Sequence, residues 1–320
     1  MKFRTEIKIE KGNPQINYDS KIDLFGSCFS DHISNYLKRF QFRTFTNSHG
    51  ILFHPLAIEN AISQNLDRKI YEIDDLNQLD EIWFSYQHHS KFSSVDPKKT
   101  LENINQSIDE GHLFLSQSTH LIITLGTAWV YKRSNGRVVA NCHKVAQSEF
   151  DKILLSEEEV SNSLIRTIEK LKLQTPGIEV ILTLSPVRHL KDGFIENSRS
   201  KALLLSAIHK VCDMKLANYF PSFEIMMDDL RDYRFYDKDL IHPSETAVNY
   251  IWEQFSSAWI DPAIEKDMKE IDRVFTSMEH KPFHEESAAH QKFLAELALK
   301  QMAIAKKYPH LTFHKKRGSI

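Results

Sequence analysis

The sequence predicts a parallel α/β fold. The clearest strand patterns are the apolar stretches Leu121–Leu125 and Glu179–Leu184, and a shorter one covers Lys21–Gly26. Between them lie segments in which apolar residues recur every three or four positions, the spacing of an amphipathic helix. Because strands that alternate with helices pair in parallel, we expect one sheet whose ligands bind beyond the carboxyl ends of its strands.

Glycines at the predicted strand ends support this organisation. The chain has only nine glycines, and Gly26, Gly50 and Gly126 each follow an apolar, β-prone stretch. Glycine is favoured where the backbone turns sharply or approaches a ligand closely. We therefore expect these positions, together with Ser185 after another strand, to lie at the same edge of the sheet.

The first part of the chain alternates between strand and helix patterns. Residues 67–100 are the exception, because they are polar and irregular. In order, the patterns predict a strand at 21–26, a helix at 30–40, a strand at 42–46, a loop at 47–55, a helix at 56–64, a helix at 100–116 and a strand at 121–125.

The second part begins with a predicted hairpin. Asn135-Gly136 favours a tight hairpin turn, and the returning strand leads to Asn141 and His143. Ser156 and Glu159 match the capping box of a helix start. In order, we expect hairpin strands at 129–131 and 137–140, a helix at 156–171, a strand at 179–184, a helix at 198–217, a last strand at 223–227 and a helix with Pro243 in its first turn.

The composition changes after Trp259. Apolar residues from Ile264 to Met278 follow a 4-3-4-3 spacing, which indicates an amphipathic helix; Pro282 ends it, and a second helix follows. The sequence therefore predicts an α/β domain at 1–258 and a C-terminal helical hairpin within 259–320 that packs on it. These helices either act as scaffold or form a homodimer contact.

Composition and charge exclude several partners. The chain is 41% hydrophobic and 26% charged with a net charge of −2, which gives no reason to expect nucleic acid or an anionic membrane. No secretory signal pattern or membrane-spanning run is found, so we expect a cytoplasmic protein. Three widely spaced cysteines without a CxxC pair predict neither disulfides nor a Cys-based zinc site.

The end of the first strand carries a candidate nucleophile. Ser27 follows Gly26 at a predicted strand-to-helix turn, where a hydroxyl is exposed and a helix N-terminus favours negative charge. More than 200 residues later, Asp239 and His242 supply the other two members of a Ser-His-Asp triad. Cys28 is an alternative nucleophile, but strand alternation points it away from Ser27 and towards the core.

These motifs together resemble the GSCFA family, a branch of the SGNH/GDSL hydrolase superfamily. The likeness covers about residues 21–258 and depends on Gly26-Ser27-Cys28-Phe29, where Ser30 replaces the alanine of the family name, and on the late DxxH segment. It implies a three-layer α/β/α, flavodoxin-like fold with five parallel strands. It also implies that Ser27 is the nucleophile, His242 its base and Asp239 the residue that orients His242, without a cofactor or metal.

The resemblance further implies an oxyanion hole made by the serine amide, a glycine amide and an asparagine side chain. Gly50 matches the glycine, but the usual Gly-x-Asn-Asp is replaced by Gly126-Thr127-Ala128-Trp129. Asn141, brought back by the hairpin, is the candidate replacement. His143 and Arg188 are candidate substrate-binding residues; the alternatives are a structural hydrogen bond for His143 and a solvated loop for Arg188.

The expected activity is hydrolysis of an acyl ester, with acetyl the favoured acyl group, on a carbohydrate or small metabolite. Trp83, Phe84, Tyr86 and His88 lie in the polar stretch that we expect over the site, and they suit the face of a sugar ring. An O-acyltransferase that uses the same triad is one alternative. A non-catalytic carbohydrate- or ligand-binding module is the other, and the missing Gly-x-Asn-Asp favours it.

Overall fold

A five-stranded parallel sheet forms the centre of the protein in a computed structural model that describes residues 5–280, 283–284, 286–311 and 313. In chain order the strands are β1 (Lys21–Gly26), β2 (Arg43–Thr46), β3 (Asn77–Leu79), β4 (Ile82–Phe84), β5 (His120–Leu125), β6 (Trp129–Arg133), β7 (Val138–Val139), β8 (Phe150–Leu154), β9 (Glu179–Leu184) and β10 (Asn218–Phe220). The central sheet has the order β10-β9-β5-β1-β2.

The register of the central strands brings the predicted strand ends together. Gly26 of β1 lies opposite Thr124 of β5, and Thr124 lies opposite Thr183 of β9. Parallel strands share one direction, so their carboxyl ends form a single edge of the sheet. The predicted five-stranded parallel sheet is therefore confirmed.

Helices cover both faces of this sheet. Ser156 caps α4, and its side chain and that of Glu159 form the predicted capping box. The helices are α1 (Cys28–Arg39), α2 (Pro55–Leu66), α3 (Pro97–Leu115), α4 (Glu157–Gln174), α5 (Gly193–Asp213), the single turn α6 (Ser222–Glu224), α7 (Glu245–Trp259), α8 (Glu265–Glu279) and α9 (Ala288–Lys307).

Alternation along the strands divides the core into two layers. Leu24 of β1 packs in a cluster with α1 and α7, whereas the next residue, Phe25, packs in a cluster with α2, α4 and α5. Successive side chains of a strand point to opposite faces, so each face needs its own layer of helices. The result is the expected three-layer α/β/α arrangement.

The C-terminal helices complete the first of these layers. Ile271 of α8 and Ile304 of α9 are buried in the same cluster as β1, α1 and α7. The predicted packing of two helices on the α/β body is confirmed, whereas the boundary at 258/259 stays a prediction. Pro282, expected to end the first of them, lies outside the described residues. No helix of the described ranges is both long and apolar enough to cross a membrane.

Three parts of the sequence prediction need correction. The last strand is β10, and residues 223–227, expected as that strand, form the end of α6 and a π-helical turn. The stretch 67–100 contains the antiparallel pair β3–β4, and the predicted hairpin β6–β7 gains β8 as a third strand. Pro243 lies before Ser244, which caps α7, and is not in the first helical turn. The periodicity of a short segment does not show which neighbouring strand it pairs with, because its conformation depends on the surrounding structure.

Candidate active site

Ser27 occupies the strand-to-helix turn that the sequence predicts. It is the N-cap of α1, and its Oγ accepts a hydrogen bond of 3.4 Å from the Phe29 amide. Gly26 has φ +140°, and a Cβ there would lie 2.2 Å from the Thr124 carbonyl oxygen. Only glycine fits between the two strands at this point, so the backbone places Ser27 rigidly at the carboxyl edge of the sheet.

Asn47 holds this turn from the next strand and was missed by the sequence analysis. Its Oδ1 accepts a hydrogen bond of 2.9 Å from the Gly26 amide, and its Nδ2 donates to Asp31 at 2.9 Å. Asn47 itself has φ +52°, a left-handed conformation that asparagine tolerates better than most residues. Its position directly after a predicted strand was the only signal for this role in the sequence.

Asp239 and His242 form the pair that the DxxH spacing predicts. Asp239 Oδ2 lies 2.6 Å from His242 Nδ1, and Oδ1 accepts hydrogen bonds from the amides of Ile241 and His242 at 2.8 and 3.0 Å. These hydrogen bonds, first those from His242, lower the pKa of Asp239 to about 2. The carboxylate is therefore ionised at neutral pH and fixes the orientation of the imidazole.

The His242 ring lies on the same side of the sheet as Ser27. Burial lowers the pKa of His32, near the start of α1, and His242 lowers it further; burial, Lys201 and His242 lower the pKa of His189. The Arg188 amide, which follows β9, donates to the Ile241 carbonyl at 3.2 Å and so joins the His242 loop to the carboxyl edge. Within the described part of the chain, no hydrogen bond joins His242 to Ser27. The Ser27 side chain is fully buried and not exposed as the turn predicted, because β5 and α1 pack around it.

The two expected backbone donors of the oxyanion hole are engaged elsewhere. The Ser27 amide donates to the Thr124 carbonyl at 3.2 Å, and the Gly50 amide donates to the Asn47 carbonyl at 2.7 Å. Gly50 has φ +80° and packs against His89, whose Cβ would be 2.2 Å from an added side chain. In this conformation Gly50 allows two loops to approach closely, and its amide is not free to donate a hydrogen bond to an oxyanion.

Asn141 and His143 build the loop that follows the hairpin. Asn141 Oδ1 accepts a hydrogen bond of 2.8 Å from the His143 amide. His143 Nε2 lies 2.9 Å from the Ser85 carbonyl oxygen, and its ring packs on Phe84 at 4.2 Å between centroids. Among the described contacts, neither residue reaches Ser27 or His242, so their role in substrate binding stays a prediction.

Arg188 supports the loop that carries His242. Its amide donates to the Ile241 carbonyl at 3.2 Å, and its guanidinium lies 4.1 Å from the ring centre of Tyr236 and 5.2 Å from that of Tyr233. Such cation–π contacts hold an arginine against aromatic faces. The structure therefore gives Arg188 a positioning role that the sequence analysis did not consider.

Cys28 and Lys201 lie next to the nucleophile turn. Cys28 is the first residue of α1 and is half-buried, not part of the core as strand alternation suggested. Burial raises its pKa, which disfavours the reactive thiolate. Lys201 of α5 is 3% exposed, donates from Nζ to the Ser185 carbonyl at 2.6 Å, and has a pKa lowered by burial to about 7. A lysine inside an amphipathic helix gave no sequence signal for this location.

The expected aromatic platform for a sugar is only partly available. Phe84 and His88 are buried, and His88 stacks on His49 with ring centres 4.3 Å apart. Tyr86 is half-buried beneath Arg133 and lines a polar cavity of about 600 Å³ between α2, the segment 69–87 and the β6–β7 turn. This cavity does not include Ser27 or His242, so its size does not mark the candidate active site.

No group of three or more His, Cys, Asp or Glu side chains among the described residues could hold a metal ion. The polar groups at the carboxyl edge are the buried Ser27 hydroxyl, the Asp239–His242 pair, the His189 ring and the buried Lys201 ammonium group. Together the fold and the site define an α/β protein with a buried serine at a helix N-terminus and an aspartate–histidine pair on a loop.

The chain belongs to the GSCFA family. The model of the GSCFA family matches residues 21–255, and that of the GSCFA domain protein C-terminal domain matches residues 271–320. The resemblance inferred from the nucleophile turn and the DxxH segment is therefore confirmed. No curated protein matches the chain.

A comparison with solved structures matches the chain to an acetyl xylan esterase from the rumen bacterium Butyrivibrio proteoclasticus. The two chains share 9% sequence identity, and their superposition has a TM-score of 0.39. The match covers 79% of this chain and 66% of the length of the esterase.

Proposed function

We propose that this protein is a serine hydrolase that cleaves an acyl ester, with Ser27 as nucleophile, His242 as general base and Asp239 as the residue that orients His242. The observation that carries the proposal is the 2.6 Å contact between Asp239 Oδ2 and His242 Nδ1 at the edge where Ser27 caps α1. A carboxylate bound to Nδ1 leaves Nε2 unprotonated, and this tautomer accepts a proton from a serine.

The reaction follows from these roles. Ser27 Oγ attacks the carbonyl carbon of the ester while His242 Nε2 takes the hydroxyl proton. The tetrahedral intermediate collapses, His242 returns the proton to the departing alcohol, and an acyl-serine remains. A water molecule, deprotonated by His242, then releases the acid and restores Ser27. Asp239 stays ionised throughout and stabilises the imidazolium.

A small acyl group on a polar alcohol is the substrate class that fits this site best. The Ser27 side chain is fully buried, so we place a small acyl group before a long acyl chain. The His242 and Asp239 side chains are 45% and 44% exposed, so a bulky polar alcohol such as a sugar can leave towards solvent. We therefore place acetyl esters of carbohydrates or small metabolites first.

The experiment combines covalent labelling with ester turnover. A fluorophosphonate probe, followed by peptide mass mapping, should place its adduct on Ser27. Release of p-nitrophenol from p-nitrophenyl acetate should be lost in Ser27→Ala and His242→Ala. Ser206→Ala and His209→Ala are matched controls, because both side chains are exposed on α5 and away from the site.

Three outcomes would contradict the proposal. Labelling of Cys28 instead of Ser27 would make the thiol the nucleophile. Turnover that survives both substitutions would remove the triad. A product that appears only when a sugar acceptor is added, as an acylated sugar, would assign the same triad to an O-acyltransferase. Longer acyl homologues should react more slowly than acetate, and the reverse order would reject the proposed acyl size.

A further inference from the structure

The ring of His189 covers the carboxyl end of β5. Its Nε2 is inaccessible to solvent and has no hydrogen-bond partner among the described residues. A Cβ added to Gly126 would lie 2.9 Å from this nitrogen, so the ring fills the space that a side chain at 126 would take. A buried polar nitrogen without a partner costs free energy, of the order of 1–3 kcal/mol. A hydrogen bond from this nitrogen to a bound substrate would account for the cost.

The surroundings hold the His189 ring in place. Its backbone amide donates to Asn197 Oδ1 of α5 at 2.9 Å, and the ring packs edge-on against Phe53 with centroids 5.3 Å apart. Phe53 is itself bound to the strand end, because its carbonyl accepts hydrogen bonds from the amides of Gly126 and Thr127 at 2.7 and 2.9 Å. The unpartnered nitrogen is therefore fixed by its backbone and by its packing.

His189 Nε2 is also close to the nucleophile turn. Gly26 lies opposite Thr124 in the β1–β5 register, the Ser27 amide donates to the Thr124 carbonyl at 3.2 Å, and Gly126 follows Thr124 by two residues. Two residues of chain span at most about 7 Å, so the ring nitrogen beside Gly126 lies near the turn that carries Ser27.

The other candidate donors leave this position open. The amides of Ser27 and Gly50 donate to carbonyl groups of the protein, and the Asn141 side chain accepts a hydrogen bond inside its own loop. Thr127, which directly follows Gly126, binds Ser200 through its hydroxyl at 3.1 Å. The Cys28 amide is the first of α1 and lies at the positive end of the helix dipole.

We infer that His189 is a further catalytic residue, whose Nε2–H donates a hydrogen bond to the oxyanion that forms when Ser27 attacks the ester, beside the Cys28 amide. The inference rests on the proposed hydrolase function. The ring gives up no proton in this step: the Ser27 proton goes to His242, and the negative charge on the substrate oxygen is stabilised until the carbonyl reforms.

The charge state of the ring agrees with this role. Burial, then Lys201 and His242, lower the pKa of His189 to about 3, so the ring is neutral at neutral pH. A neutral imidazole can donate one hydrogen bond without competing with His242 for the serine proton. The donor is already in place before the reaction, which is the condition under which such a group accelerates acyl transfer.

The test replaces the donor and keeps the shape. His189→Phe retains an aromatic ring against Phe53 but has no N–H, and should lower kcat for p-nitrophenyl acetate by about 10²–10³-fold with KM changed less than about threefold. His189→Gln keeps a side-chain N–H donor and should retain kcat within about tenfold of wild type. His209→Phe, an exposed histidine of the same helix layer, is the matched control and should leave kcat unchanged.

A second variant covers the case in which His189→Phe does not fold. Gly126→Ala keeps the histidine but pushes its Nε2 away from the strand end, and should also lower kcat with little change in KM. Unchanged kcat in either His189→Phe or a folded Gly126→Ala would overturn the inference. Equal loss in His189→Phe and His189→Gln would also overturn it, since the donor would then not matter.

The outcomes separate this inference from the proposed function. If Ser27→Ala is inactive while His189→Phe is fully active, the hydrolase stands and the oxyanion role of His189 falls. If wild type neither reacts with the fluorophosphonate probe nor hydrolyses esters, both fall together. In the fluorophosphonate adduct the phosphoryl oxygen takes the oxyanion position, so the Nε2 proton of His189 should become a protected, downfield-shifted NMR signal. The absence of this signal in a Ser27 adduct would also overturn the inference.

Discussion

The two halves of the candidate site are built in opposite ways. Ser27 is fully buried, and the strand end on which it lies is tied by hydrogen bonds to Thr124 and Asn47. Asp239 and His242 are almost half-exposed and lie on a loop. The proposed nucleophile is thus positioned by the core of the fold, whereas the proposed base is positioned by local contacts. The position of Ser27 therefore depends on the core of the fold, whereas the positions of Asp239 and His242 depend on one loop.

The loop that carries Asp239 and His242 is stabilised mainly by contacts between residues that are close in sequence. The His242 carbonyl accepts a hydrogen bond from the Asp237 amide at 2.8 Å, and Tyr236 pairs with Pro243 across the loop. Arg188 then joins this loop to the segment after β9. Loops held by few contacts open more readily than strands in a core. A change in the exposed half should therefore affect activity much more than stability.

The largest expected effect is that of Asp239→Asn. The amide keeps one oxygen for the two backbone N–H groups but favours the wrong tautomer of His242, so kcat should fall by roughly two to four orders of magnitude. The urea midpoint of unfolding should hardly change, because the loop is exposed. Asp237→Asn is the matched control for p-nitrophenyl acetate turnover. A large loss of stability in Asp239→Asn would remove the contrast between the two halves.

Gly26→Ala should have the next largest effect, now on stability. The added Cβ would lie 2.2 Å from the Thr124 carbonyl oxygen at φ +140°, so we expect the free energy of unfolding to fall by about 3 kcal/mol or more. Gly177→Ala is the matched control, since it has φ +83° but no atom within 4 Å. It should cost only about 1–2 kcal/mol. Equal losses in urea unfolding would show that the close approach at Gly26 does not matter.

The smallest effect concerns Asp23, deep in the buried half. Its carboxyl group is fully buried without a side-chain partner in the described ranges, and burial raises its pKa well above the usual value although the Leu24 amide opposes the shift. The folded state therefore holds a proton that the unfolded state loses above about pH 4, so stability falls as pH rises from there towards the folded pKa.

Asp23→Asn should remove this loss. At pH 8 the variant should be more stable than wild type by about 1–3 kcal/mol in urea unfolding, and at pH 4 the difference should nearly vanish. The ester turnover of the folded enzyme should not change. Asp213→Asn, on the exposed end of α5, is the control and should show no such pH-dependent difference. A variant less stable than wild type at pH 8 would mean that the Asp23 carboxylate has a stabilising partner.

The sequence predicted the sheet because its strands are long, buried and apolar, and such stretches depend little on their neighbours. It also predicted the Asp239–His242 contact, because a DxxH spacing brings the two side chains together within one turn of chain. It was wrong about residues 223–227 and missed β8, since short edge segments take their conformation from the surface that they meet. The Gly26-Ser27 turn could be predicted because position 26 accepts only glycine: an added Cβ would clash with the Thr124 carbonyl oxygen.

By itself, the sequence determined the parallel α/β class, the strand-end serine and the aspartate–histidine pair, because local patterns and short spacings specify each of them. Only the tertiary structure decided what surrounds them. The packing of β9 and α5 fixes His189 and Lys201 beyond the carboxyl end of β9, and the amides of Ser27 and Gly50 donate to carbonyl groups of the protein. Ser27 is far from His189 and Lys201 in the chain. They lie at the same edge of the sheet because the strands are parallel, and no local sequence pattern predicts this.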